Sequence, residues 1–234
     1  MSSMSYHASL ERACSFPIVK ADITKKIDAV VMNGVAPALE AIGFKRKQGR
    51  FTRRLAQCTW IVEVQRGKYN YGANGRFSVD LGVFHPRWHD QLQAFPRLQH
   101  KEPLSDTPRI WHSQVRQELG LLAIQDSWWQ VDENTNIEAI SAEVAQAISN
   151  FAVPWFEKMS ALSAAVSSIA GEYGHLSGAW IYKMYAMAGY VAISDIPNAS
   201  RMYKAADGDV IKSEEQEREF GAWARKLGIL PVRV

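Results

Sequence analysis

The chain has 234 residues, of which 47% are apolar and 22% charged, and its formal net charge is +3. A globular chain of this size buries about 70% of its unfolded surface without a disulfide or metal staple, and no run approaches the ~20 apolar residues of a membrane span. Cys14 and Cys58 stand far apart with no His or Cys partner at metal-ligand spacing, which argues against a secreted disulfide framework and fits a reducing cytoplasm.

Residues 1–21 are Ser-rich and aperiodic and read as an irregular arm, with neither the basic start nor the apolar core of a signal peptide. From Asp22 the pattern is helical. Ile23, Ile27, Val30, Val31, Val35, Leu39 and Ile42 form one apolar stripe. Asn33, Gly34 and Pro37 lie within it and predict a kink near Gly34, and Gly43 supplies the stop.

After Phe44 the period becomes two, and strands are expected over 44–48, 50–55, 58–66 and 76–84. In the third, Trp60, Val62 and Val64 face one way while Ile61, Glu63 and Gln65 face the other. In the fourth, Phe77, Val79, Leu81 and Val83 alternate with Ser78, Asp80 and Gly82, the mark of half-buried antiparallel strands. Residues 85–108 read as a long packed loop of the kind that carries function or hides short helices. Further strands are expected at 110–116 and 127–131. Asn136 then caps a helix over 137–151, and Pro154 bends or restarts it. The remainder, 161–234, is a helical region with segments over 161–173, 177–194, 198–206 and 213–227. The fold class expected is α+β: an antiparallel meander over 22–160, packed by its two helices and followed by a C-terminal bundle.

The segments GFKRKQGRFTRR (43–54), VEVQRG (62–67) and FSVDLGVF (77–84), in that order after a helix, together with Trp128-Trp129 and Val153-Pro154, resemble the bacterial domain of unknown function numbered 4304. The resemblance spans roughly residues 22–160. Asp80 stands where the pattern leads one to expect Asn. The resemblance implies a fold and carries no established activity.

Three constellations bear on function. Lys45, Arg46, Lys47, Arg50, Arg53 and Arg54 interleave with Phe44 and Phe51, the mixture of cations and rings that a single-stranded nucleic acid needs. The plainer reading is a charged edge that resists pairing with another chain. Glu63, Gln65 and Asp80, with Arg53 near in sequence, are polar groups expected to converge on the sheet. They are a binding candidate, or the remnant of a metal-dependent nuclease, although Gln65 stands where such a nuclease needs Lys. His85, His89, His100 and His112 crowd one stretch, but Pro86 biases His85 away from helical geometry, so no metal site is expected. Phosphate-loop and nucleophile-elbow spacings are absent, and no cofactor is implied. Trp88 and Trp111 flank the long loop as candidate groove residues. These features favour a non-catalytic module that binds a protein partner, comparable by analogy with toxin–immunity proteins. The alternative is nucleic-acid binding through Lys45, Lys47, Arg50 and Arg54. The sequence fixes no oligomeric state.

Overall fold

The computed structural model describes residues 20–47, 49–68, 70, 74–95, 107–173, 180–210 and 214–230. The expected arm at 1–21 lies outside these apart from Lys20 and Ala21, which already belong to the first helix. That helix, α1 (Lys20–Val30), passes through a π turn (Val31–Val35) into α2 (Ala36–Ala41). The reason lies in the spacing. Ile23, Ile27, Val31, Val35 and Leu39 recur at every fourth residue, and at about 3.6 residues per turn such a stripe drifts about 40° per step around an α-helix. One wider turn takes up the drift, and all five side chains are buried. The kink expected near Gly34 is therefore a π turn. A Cβ on Gly34 would sit 2.5 Å from the Ser141 carbonyl oxygen, so glycine is what lets the next long helix approach.

That helix repeats the device. In α5 (Ile137–Ala147), a π turn (Ile148–Ala152) and α6 (Val153–Ser160), the residues Ile140, Val144, Ile148, Ala152 and Phe156 again recur every fourth position and again are buried. Asn136 caps the start as predicted, accepting the Ala139 N–H at 3.1 Å. Pro154 follows directly on this π turn, near the start of α6, where its missing N–H leaves out one bond of the continuous helix.

Six strands form one antiparallel sheet: β1 (Lys45–Lys47), β2 (Arg50–Arg54), β3 (Thr59–Arg66), β4 (Asn74–Phe84), β5 (Val115–Glu118) and β6 (Trp129–Asp132). The first five pair in sequence order, and β6 returns to β4. Phe77 of β4 faces Arg66 on one side and Trp129 on the other, while residues 80–83 face β5. So β5 and β6 lie end to end along one edge of β4, as a single strand interrupted by α4 (Leu119–Ala123) and the residues after it. The strand expected at 110–116 is shorter than the sequence implied. Residues Ile110–His112 form a 3-10 turn, because the Arg109 and Ile110 N–H groups go to His112 Nδ1 (2.9 Å) and Glu63 Oε1 (3.1 Å). The stretch read as a loop opens with α3 (Pro86–Gln93).

Trp60, Val62, Val79 and Leu81 are buried as predicted, and Val64 is half-buried. Phe156 stacks on Trp60 at 4.8 Å, which brings α6 onto this face. The C-terminal helices are α7 (Leu162–Tyr173), α8 (Trp180–Ala192), α9 (Ile196–Val210) and α10 (Glu214–Lys226). They join the same buried cluster through α3. Trp88 is wholly buried and its indole N–H donates to the Tyr185 carbonyl at 2.8 Å. Phe95 packs on Trp223 at 4.8 Å. Among the described residues no helix is long and apolar enough to cross a membrane.

Candidate functional site

The side chains singled out from sequence fall on both faces of the sheet. Register sets Glu63 opposite Asp80 and Asp80 opposite Glu118, so three carboxylates lie in a row across β3, β4 and β5 on the face away from α1 and α6. Gln65 shares that face and is exposed. Arg53 does not join them. It pairs opposite Trp60, and its guanidinium lies over the Trp60 ring at 4.7 Å on the helix-covered side. Trp88 lines no groove, being enclosed against α8. Trp111 is half-buried, with Arg109 over its ring at 4.6 Å, and packs on the small cluster of Ile61, Phe84 and Ile110.

On the basic hairpin, Lys45 and Lys47 are exposed and share the carboxylate face with Arg50 and Arg54. Lys45, Lys47, Thr52 and Arg54 line a hollow of about 530 Å³ beside Thr107. Arg50 is drawn in, at 3.3 Å from Glu63 and donating to the Thr107 carbonyl at 3.2 Å. Phe44 and Phe51 are both buried, so neither ring is at the surface for a base to stack on. The histidines also turn inward. His85, His89 and His112 are buried, and His85 Nε2–H donates to the Met159 carbonyl at 2.9 Å. Burial pushes the His85 pKa down, against the hydrogen bond to Met159. His100 lies outside the described residues. Among those described, no group of three or more His, Cys, Asp or Glu is placed to hold a metal ion.

The carboxylate row has an electrostatic consequence. Burial, together with the charges of Glu118 and Glu63, pushes the Asp80 pKa above its ordinary value, against a hydrogen bond from Ser78 Oγ (3.1 Å) and the charge of Arg116. An acid whose folded pKa is raised holds its proton more tightly folded than unfolded, so stability falls as pH rises from the ordinary carboxylate range through the folded pKa. Asp80→Asn is therefore expected to stabilise the protein near neutral pH by about 0.2–1 kcal/mol, the scale of one cross-strand pair. That gain should vanish below the ordinary carboxylate pKa, where Asp80 is protonated too. Urea unfolding of both proteins across that range measures it; a gain that persists in acid would mean the charge is not its source.

Next to this row the surface opens. The outer edge of β5 borders a groove of about 530 Å³. The far wall comes from Ser168, Ile169 and Glu172 of α7 and Ile181, Tyr182 and Tyr185 of α8, with Trp155 and Met159 of α6 below. Among the described residues β5 pairs with β4 alone. Three of the exposed large apolar side chains, Leu121 (47% exposed), Ile181 (40%) and Tyr182 (41%), stand on this groove. Of the residues selected from sequence only Asp80 reaches it. The other lining residues lie 30 or more positions further along the chain, and no local periodicity marks a surface assembled from a strand edge and distant helices.

No curated protein and no solved structure matches the chain. The family model described as "Domain of unknown function (DUF4304)" matches residues 35–158, from the first π turn to α6, and so includes the strand wall of the groove but not α7 or α8. The match takes in more than half of the 234 residues, and the chain belongs to that family.

Proposed function

We propose that this chain is a non-catalytic protein-binding module of the bacterial cytoplasm, and that its partner docks in the groove between β5 and α7–α8. One observation carries the reading: a strand edge with no partner strand among the described residues and three exposed apolar side chains meet at a single concavity. Scattered exposed apolar residues are ordinary, whereas a gathered set beside a strand edge is the surface that a partner covers. The basic hollow at Lys45, Lys47 and Arg54 supports the nucleic-acid alternative less well. Arg50 is engaged with Glu63, and both neighbouring rings are in the core.

The test is capture from a native-host lysate with and without nuclease, comparing the wild type with a Leu121→Asp/Ile181→Asp variant. Both positions are exposed, so stability is expected to change by no more than about 0.5 kcal/mol at each. A protein retained by the wild type after nuclease and lost by the variant supports the groove. Capture that disappears with nuclease, or that ignores the two substitutions, refutes it.

A further inference from the structure

The geometry points to the form of the partner: an extended, basic peptide segment that adds to β5 as a seventh strand, with a lysine or arginine set against Asp80 and Glu118. This rests on the reading of the groove as a protein-binding site and specifies what enters it. The two ends of the strand order differ in a telling way. At one end, Lys45, Arg46 and Lys47 of β1 are all exposed, a run of cations that deters another strand from pairing there. At the other, β5 carries one cation, Arg116, and no Pro or Lys in its four residues Val115–Glu118. All four line the groove. Alternate residues of a strand turn their N–H and C=O groups away from the strand already paired, so the side of β5 away from β4 presents backbone groups to whatever fills the groove. Adding a strand to such an edge gives affinity through the main chain and selectivity through alternate side chains.

The charge of the groove selects the side chain. Its charged lining residues are Asp80, Glu118 and Glu172 against Arg116 alone. Glu118 Oε2 is buried with no hydrogen-bond partner among the described residues, and a carboxylate oxygen left so is costly until a donor reaches it. Asp80 lies directly across the ladder from Glu118, and Glu63, the third acid of the row, is already taken by Arg50 and the Ile110 N–H. An ammonium or guanidinium from an added strand would meet two carboxylates that form no salt bridge among the described residues and have only the charge of Arg116 near them. The apolar rim at Leu121, Ile181 and Tyr182 suits β-branched or aromatic neighbours at alternate positions of the same segment.

The experiment is selection of a phage-displayed library of random short peptides on the full chain, followed by binding measurements on the enriched peptides. Supporting results are enrichment of lysine or arginine amid alternating β-branched residues, and a loss of about tenfold or more in affinity for an Asp80→Asn/Glu118→Gln variant that circular dichroism shows to be folded. N-methylation of alternate backbone amides, which removes strand pairing while keeping every side chain, should cost a similar factor. Peptides that lose binding to Leu121→Asp/Ile181→Asp but carry no basic residue, or that tolerate N-methylation, overturn this proposal and leave the groove as a protein-binding site. No enrichment, or enriched peptides indifferent to the groove variants, overturns both. Concentration-dependent dimerisation through β5 would identify the occupant as a second copy and likewise overturn it.

Discussion

Replacing Trp88 by alanine is expected to lower the unfolding free energy by about 3–5 kcal/mol, the range for removing a fully enclosed aromatic side chain. Trp88 is 0% exposed, and its ring is fixed between α3 and α8 with the indole N–H on the Tyr185 carbonyl. A Cβ on Gly189 would come within 2.8 Å of that ring, so the two helices fit around it with no slack to refill a void. Trp88→Phe keeps most of the apolar volume but loses the donor, and should cost less. Urea denaturation at unchanged slope is the measurement; a loss under about 1 kcal/mol for the alanine variant would mean that α3 and α8 do not depend on this contact. Because α8 also carries Ile181, Tyr182 and Tyr185, the same variant should disturb the groove.

Leu81→Ala is expected to cost about 2–5 kcal/mol. Leu81 is wholly buried in the middle of β4, flanked by Val62 on β3 and Gln117 on β5, beneath the helices. Slipping β4 by one residue cannot rescue the variant, since that would bring Asp80 to the core. A loss below about 1 kcal/mol would place Leu81 outside the core.

Much of this fold was legible in the sequence, for identifiable reasons. Alternation at 58–66 and 76–84 specified the β3–β4 ladder, because one face had to hold Trp60, Val62, Val79 and Leu81. Faces were harder where parity depended on a turn. Arg53 was grouped with Glu63, yet the tight connection that bonds the Leu55 N–H to the Cys58 carbonyl sets Arg53 opposite Trp60. The start of the strand expected at 110–116 was misread because the backbone donors there are met by side chains. His112 and Glu63 stop the expected strand short of Val115, as periodicity alone could not tell. The acid row was half visible: Glu63 and Asp80 were paired by their strands, but Glu118 entered only through the truncated β5. The groove was not visible, because its two walls are far apart in the chain.

The π turns have a consequence for comparing relatives. Each amounts to one residue inserted into an α-helix with the flanking turns kept in phase. A relative lacking one residue within 31–35 or 148–152 would therefore regain an unbroken α-helix while presenting the same side chains to the sheet. Alignments of this family should accordingly tolerate single-position gaps in the middle of these two helices, where gaps are ordinarily penalised most. An alignment that forces such sequences through ungapped would shift every buried position beyond the turn by one.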